Sequence, residues 1–508
     1  MSPYCTRAWP WFALGVCIQV ASARAQTLTG LGPVPGGASS TAYALSRDGS
    51  AVVGYGYIFQ SNGVGVGYAF RWSRTGGMVR LPAGGSSIAK GVGPDGQVVV
   101  GISGLGNQSF RWTQAGGIVN TGILPGGSNA SLLGANGDGS ILIGISTAPG
   151  IPNFLAVQWT PGGGLVSLGT LPGDNFSAAQ AITPDGSVIV GWSGIYTSTV
   201  HAVRWSGGSI TDLGTVPGAS GAFARSVSSD GSVIVGRSGN SVPYPYTGFT
   251  NHAFRWTASG GMEDLHSYGQ DSDAWGVSDD GSVVGGSGYL HVGPAAWMWT
   301  QDTGMANLNA YLPTVGIDTS GWNLRTVRGV SADGRTIAGT GWRAGSTDDE
   351  AWIANLPAVL PACFSLGPIQ VARGCPPGAV SLSVSTTGTA PYGYRWQQQT
   401  TGGLWQDMAA NSSWSSPTTE VHLRPGPGVT TYAFRVIAIT DCTTKTSEPV
   451  TYTICRADYD CDGRLAISDI FAYLNAWLAG DYRADFEGTG PASPANILAF
   501  LADWFAGC

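Results

Sequence analysis

Short apolar runs of three to six residues, separated by Gly, Pro, Ser and Asp, fill most of the chain. In the stretch around Asp185, Ala179 to Ile182 read as a strand and Pro184-Asp185-Gly186 as a tight turn. Val188-Ile189-Val190 is a continuous apolar run, as expected of a strand buried on both faces. Gly191 then ends that strand at a close backbone approach. His201 to Trp205 form a third strand, with Val203 and Trp205 on one face. After the turn Gly207-Gly208, Ile210 to Leu213 form a fourth. Asp-Gly suits the hairpin turn because glycine reaches the positive φ that such turns need.

This unit recurs seven times. Asp-Gly pairs begin at Asp48, Asp95, Asp138, Asp185, Asp230, Asp280 and Asp333, spaced by 47, 43, 47, 45, 50 and 53 residues. Six positions after each Asp stands a glycine: Gly54, Gly101, Gly144, Gly191, Gly236, Gly286 and Gly339. A tryptophan follows in each copy, at Trp72, Trp112, Trp159, Trp205, Trp256, Trp299 and Trp352. Four strands per repeat of this length predict a mainly β fold, a seven-bladed β-propeller over residues 26–357. A parallel β-helix is the rival architecture, but its coils are shorter and lack regular Asp-Gly hairpins. The last repeat stops after Trp352-Ile353-Ala354 without a fourth strand, and the segment TLTGLGPVPG at 27–36 matches SITDLGTVPG at 209–218 in six of ten positions. Thr27 to Leu31 are therefore predicted to pair as the outer strand of the seventh blade, which ties the ring shut and removes a free edge.

Two further patterns follow. Leu356 to Pro361 read as a short stiff linker. Alternating runs at Val380–Val384, Tyr392–Gln398, Val421–Leu423, Tyr432–Ile439 and Val450–Ile454 then predict a small β-sandwich over residues 361–455, whose first expectation is a spacer. From 456 to 508 the period becomes helical. Ile470, Phe471, Leu474, Trp477 and Leu478 fall on one helix face, repeated 27 residues later by Ile497, Leu498, Leu501, Trp504 and Phe505.

Composition refines this picture. There are 79 glycines in 508 residues, 64 of them in residues 26–360, without the three-residue period of collagen. The glycine thus belongs to the turns of the repeats. Net charge is −7 and no basic stripe exists, which argues against nucleic acid as partner. Residues 1–25 read as a signal peptide: Arg7, an apolar run from Trp11 to Val20, and the small-residue site Ala23-Arg24-Ala25 before Gln26. A retained anchor is the alternative. With Cys5 and Cys17 removed, Cys363, Cys375, Cys442, Cys455, Cys461 and Cys508 remain, an even set that predicts three disulfides in an exported chain.

The candidate chemistry lies in the tail. Asp458, Asp460, Asp462, Gly463 and Asp469 occupy positions 1, 3, 5, 6 and 12 of an EF-hand-like loop, with the Arg464 carbonyl at position 7. Oxygen ligands at alternate positions wrap a Ca²⁺ and glycine allows the sharp turn. The second copy is degraded: Asp485, Glu487, Thr489 and Asn496 take positions 1, 3, 5 and 12, with Pro491 at 7, so Ca²⁺ is expected in the first loop and weakly or not at all in the second. The repeats offer less. Their Asp residues serve turns, the five histidines (His201, His252, His266, His291 and His422) are scattered, and Asp271, Asp273, Asp348, Asp349 and Glu350 read as solvated loop charges.

Three family resemblances follow from these residues. The repeats resemble secreted HAF repeats, named for the triplet that stands at His252-Ala253-Phe254; His201-Ala202-Val203 is close, and Ala69-Phe70-Arg71-Trp72 keeps the rest. The family implies an extracellular location and no activity. The middle region resembles an immunoglobulin-like module with Trp396 as its buried tryptophan, but Phe434 replaces the second core cysteine. In such a module the outer strands run parallel, which would bring Cys363 near Cys442 and Cys375 near Cys455; the rival pairs are 363–455 and 375–442. The duplicated loop and helix resemble a type I dockerin, and the ending Trp504-Phe505-Ala506-Gly507-Cys508 is similar to the C-terminal tails of exported planctomycete proteins. This implies Ca²⁺-dependent docking to a cohesin-like receptor or another cell-surface component. The usual Ser-Thr at loop positions 10 and 11 is here Ile467-Ser468 and Pro494-Ala495, a departure at the receptor-reading positions. Cys461 and Cys508 would clasp the two ends of the tail. The expected function is an exported, non-catalytic binding scaffold with protein or glycan as ligand. Its rivals are a polysaccharide-degrading hydrolase delivered by the tail, and a purely structural cell-surface protein.

Overall fold

The computed structural model describes residues 26–507, apart from 105–107, 152, 196–198, 240–250, 266–270, 291–292, 359, 361, 374–378, 389–392, 401–404, 409–416, 423–428, 441, 456, 461–463, 482–483 and 487–492. Residues 1–25, read from the sequence as a signal peptide, lie outside the described residues. Seven four-stranded antiparallel units, consistent with propeller blades, follow one another and close a ring, and a unit of three sheets and a helical pair complete the chain. The ring closes as predicted: Thr27–Gly30 pairs with Asp349–Asn355 from Thr27↔Asn355 to Gly30↔Trp352, and supplies the outer strand of the seventh blade.

The Asp-Gly turns work in two ways. All seven aspartates accept a hydrogen bond from the backbone N–H two residues on, at 2.9–3.0 Å. All seven glycines hold φ between 67° and 77°, where a side chain would be strained. In five copies a buried Ser or Thr two residues before the Asp donates to the same carboxylate, as Thr183 does to Asp185 at 2.6 Å. These donors, led by Thr183, hold the Asp185 carboxyl down at about 2. Each turn glycine also seats against the preceding blade. A Cβ on Gly96 would stand 2.8 Å from Ala51 Cβ, one on Gly231 2.9 Å from Val188 Cγ2, and one on Gly49 3.0 Å from Thr336 Cβ, the last across the ring closure.

The second conserved-in-repeat glycine does not end its strand, contrary to the sequence reading. The strand through Gly191 runs on to Gly194, as Val188–Gly194, and its equivalents also continue. The close approach is real: a Cβ on Gly54, Gly101, Gly144, Gly191, Gly236, Gly286 or Gly339 would overlap a backbone carbonyl oxygen of the innermost strand. Opposite each glycine the innermost strand carries a β-bulge. The register shifts lie between Ala42/Ala44, Ala89/Gly91, Leu132/Gly134, Ala179/Ala181, Ala224/Ser226, Ala274/Gly276 and Val327/Gly329. A bulge needs two residues against one and bends the strand, which glycine alone accommodates on the facing strand.

In the middle unit, Gln370–Arg373, Ala379–Ser383 and Thr418–His422 form one sheet. Gly393–Thr400, Val429–Ile439 and Val450–Cys455 form the body of another. Val380, Leu382, Tyr394, Trp396, Phe434 and Val436 from the two sheets share one core, and Trp396 is buried as expected. This unit is not hung on a linker. Thr443–Thr446 pairs with Gly304–Asn307, the outer strand of the sixth blade, and merges the two into one nine-stranded sheet. Thr443 Oγ1 donates to the carbonyls of Thr303 at 2.6 Å and Met305 at 2.8 Å. A disulfide joins Cys363 to Cys442 with Cα atoms 6.4 Å apart, which excludes the rival pairs. Cys375, Cys461 and Cys508 lie outside the described residues. Cys442 packs into the core that the sixth and seventh blades share with helix α1 (Leu308–Thr314), an element absent from the sequence reading.

Substituting the bulge-facing glycine tests this account. Gly236→Ala drives a Cβ into the Phe223 carbonyl, whereas Gly162→Ala meets no atom within 4 Å. Thermal unfolding of the two variants should show a loss of more than ~2 kcal/mol for the first and little change for the second. Equal melting temperatures would refute the close-approach role.

Candidate functional site

The bulges aim one residue per blade at the ring axis: Tyr43, Lys90, Leu133, Gln180, Arg225, Trp275 and Arg328. All seven line a single axial cavity of about 570 Å³, together with Arg47, Phe154 and Trp192 among others. The frame repeats and the lining does not. Trp275 lies between two guanidinium groups, Arg225 at 4.3 Å and Arg328 at 4.1 Å from its ring, and its Nε1 donates to Ser287 Oγ at 3.0 Å. The Tyr43 ring lies near Lys90, at 5.4 Å, and Arg328, at 5.8 Å. Burial lowers the pKa of Lys90, and the neighbouring Arg328 lowers it further. Sequence reasoning missed this lining because its residues vary in type from repeat to repeat; the signal was their constant place, five residues before the Asp of each Asp-Gly pair.

Of the acidic residues read as solvated charges, Asp348 is exposed as expected, whereas Asp271, Asp273, Asp349 and Glu350 are engaged. Asp273 is only 8% exposed and lies 3.2 Å from Arg225 Nη2 and 3.8 Å from Arg237 Nε. Asp271 accepts from the Asn251 N–H at 2.6 Å. Both border a smaller cavity of about 340 Å³ with Arg237, Trp275 and Arg325. Asp349 accepts from Trp342 Nε1 at 2.9 Å, and Glu350 pairs with Arg343 at 3.0 Å. Two histidines also have fixed partners: His201 Nδ1 is 2.9 Å from Asp212 and His252 Nδ1 is 2.7 Å from Asp264, each pair joining the third and fourth strands of one blade. His266 and His291 lie outside the described residues.

In the tail, carboxylate oxygens of Asp458, Asp460 and Asp469 lie within 4.8 Å of one another. Asp469 sits in the first turn of α2 (Ile467–Leu478), is fully buried, and accepts from the N–H groups of Asp460 at 3.0 Å and Ala466 at 2.8 Å. Three convergent carboxylates, one of them buried, suit a hard cation that prefers oxygen. Arg464 is exposed, and Asp462 lies outside the described residues. In the second loop Asn496, also fully buried, donates through Nδ2 to Asp485 Oδ1 at 3.0 Å. Positions 1 and 12 meet there too, but with one negative charge fewer and one carboxylate oxygen taken by an amide. Glu487 and Thr489 lie outside the described residues.

The tail has pseudo-twofold symmetry. Trp477 Nε1 donates to the Ser493 carbonyl at 3.2 Å, and Trp504 Nε1 to the Ala466 carbonyl at 3.1 Å, so each tryptophan bonds the N-cap of the other helix, α2 or α3 (Pro494–Ala506). Tyr473 stacks on Phe500 with ring centroids 4.2 Å apart, both fully buried. The predicted apolar face therefore splits. Ile470, Leu474 and Trp477, with Ile497, Leu501 and Trp504, pack against the core. Phe471, Leu478, Leu498 and Phe505 are 63–76% exposed and stand, with Ile467, as matched stripes on the two helices.

The sequence matches no known protein family and no curated protein. Among solved structures it is similar to TolB from Acinetobacter baumannii, with 14% identity over 51% of this chain and 63% of that one and a TM-score of 0.35. The alignment thus spans less than two thirds of the Acinetobacter protein. It is also similar to a putative TolB from Agrobacterium tumefaciens, with 15% identity over 61% and 99% of the chains and a TM-score of 0.36. A prolyl endopeptidase aligns at 11% identity over 77% and 62%, with a TM-score of 0.37.

Calcium titration of the full chain, read by tryptophan fluorescence, separates the two loops. Asp460→Ala should abolish the high-affinity transition and Asp485→Ala leave most of it; equal loss from both would contradict the unequal donor sets.

Proposed function

We propose that the chain is an exported, non-catalytic binding scaffold: a seven-bladed propeller of HAF-type repeats that receives a ligand at its axis, an immunoglobulin-like module fused to its rim, and a dockerin-like tail for Ca²⁺-dependent attachment to a cell-surface component. The observation that carries the binding role is the constant frame with a varied axis. Seven equivalent bulges deliver seven half-buried side chains of six different types to one cavity. A purely structural ring gains nothing from such variety, whereas a binding site requires it. The hydrolase reading has less support. A glycosidase needs two carboxyl groups about 5–9 Å apart flanking the bond. The described residues lining the axial cavity include no Asp or Glu, and Asp271 and Asp273 beside it are already engaged.

For the tail, Asp458, Asp460 and Asp469, with Asp462 and the Arg464 carbonyl, would hold the ion. Bound Ca²⁺ neutralises the convergent carboxylates and fixes the loop ahead of α2, and so orders the helix pair. The matched exposed stripes would then form the docking surface, since apolar side chains of this size exposed in register mark interaction sites. Immobilised full chain should capture a partner from the cell-envelope fraction in Ca²⁺ and release it in EGTA, and Phe471→Asp with Phe505→Asp should lose capture while keeping the Ca²⁺ transition. Capture that ignores both EGTA and these substitutions would remove the attachment role.

A further inference from the structure

The binding reading leaves the chemistry of the axial ligand open, and the charges around the cavity narrow it. Four cationic side chains line the axis: Arg47, Lys90, Arg225 and Arg328. Two of them are compensated. Arg47 is paired with Asp279, and Arg225 with Asp273. Lys90 and Arg328 have no carboxylate within 4.0 Å among the described residues, and the lining itself carries no acidic side chain. They lie near the same Tyr43 ring. Two like charges are thus held side by side in a half-enclosed chamber, inside a chain whose net charge is −7. Solvent there is limited, so their repulsion is poorly screened; the ring quadrupoles of Tyr43 and Trp275, and the field of the Asp273 carboxylate at Arg328, offset part of it. The low-dielectric walls focus their joint field along the axis, where it attracts negative charge.

The remaining lining states what else the ligand carries. Gln180 offers an amide donor and acceptor, Tyr43 a hydroxyl, and Leu133, Phe154 and Trp192 supply apolar wall. Such a set grips hydroxyl groups and small hydrophobic faces as well as an oxyanion. A volume of about 570 Å³ admits a molecule of one or two sugar rings and excludes a folded protein segment.

We propose, resting on the binding role above, that the propeller axis is a receptor site for a small hydroxylated organic oxyanion, whose charged group bridges Lys90 and Arg328 while its hydroxyls meet Gln180 and Tyr43. Carboxylate and phosphate share this chemistry. Arg328, planar and always charged, gives a bidentate contact to either, and Lys90 a point charge beside it.

Thermal shift and titration calorimetry on the full chain test this with glucuronate, glucose 6-phosphate, glucose and inorganic phosphate as probes. Glucuronate or glucose 6-phosphate should bind and raise the melting temperature, and which of the two binds more tightly separates a carboxylate ligand from a phosphate one. Glucose should bind at least tenfold more weakly. Binding should fall at least tenfold in Lys90→Met and in Arg328→Met and with added salt, and Lys90→Arg should restore most of it. Arg343→Met, at the rim, should leave it unchanged, which guards against general loss of structure, as does an unaltered far-ultraviolet spectrum in each variant. Glucose binding as tightly as the anions would overturn the oxyanion assignment while leaving the axial binding role in place. Binding by none of the four probes would overturn the assignment and leave tail attachment, read independently with EGTA, untouched. Anion binding that survives both Met variants would place the ion elsewhere and refute the axial site.

Discussion

A glycine hydrogen facing a carbonyl oxygen sets the geometry of every blade. The innermost strand carries one residue too many for its partner, and the surplus is absorbed only because the partner presents no side chain at that point. Remove that allowance and the bulge flattens, the inner strand returns to regular alternation, and the residue at the axis turns away from it. The Asp-Gly turn acts in the same blade at a different level. Its carboxylate caps the hairpin through short-range donors, and its glycine lets the preceding blade approach. Two glycines per repeat therefore define the blade and its neighbour contact. The side chains between them are left to pack, as Val188, Ile189 and Val190 do at 0–4% exposure.

The edges of the assembly are treated unequally. Outer strands such as Gly77–Arg80, Ser209–Asp212 and Gly261–Asp264 are short and largely exposed, a common way to blunt pairing with other chains. The seventh blade borrows its outer strand from the start of the chain. The sixth instead keeps its own, Gly304–Asn307, mostly buried, and passes it to the middle unit as a template. The Cys363–Cys442 disulfide secures that seam from inside the shared core. The ring and the middle unit are thereby one continuous sheet at this point.

Much of this was legible in the sequence, and the failures have physical causes. Repeat number, the Asp-Gly turns and the closing strand at Thr27 were readable because turn chemistry is local and the repeats supply seven independent copies. The strands of the middle unit were found to within a few residues, as at Val450–Cys455. The role of Gly191 was half read: close approach was clear from residue type, but whether a strand continues past a glycine depends on the bulge across from it. Asp273 was misread because its partners, Arg225 and Arg237, come from a different blade. The helix face in the tail was drawn too wide, since a 3.6-residue period cannot distinguish Tyr473, stacked on Phe500, from Phe471, exposed beside it. The axial lining was invisible for the reason that makes it of interest: its residues are not repeated.

The central claim is a division of labour, with glycines and turns holding the ring and the axial side chains free for a ligand. The melting temperature of a triple variant, Lys90→Met, Gln180→Leu and Arg328→Met, tests it most directly. If the frame is independent of its lining, this protein melts within about 3 °C of the parent, since the loss of aromatic contacts is offset by relief of like-charge repulsion. Collapse of the transition, or unfolding far below the parent, would mean that the axial side chains hold the blades together and are structural.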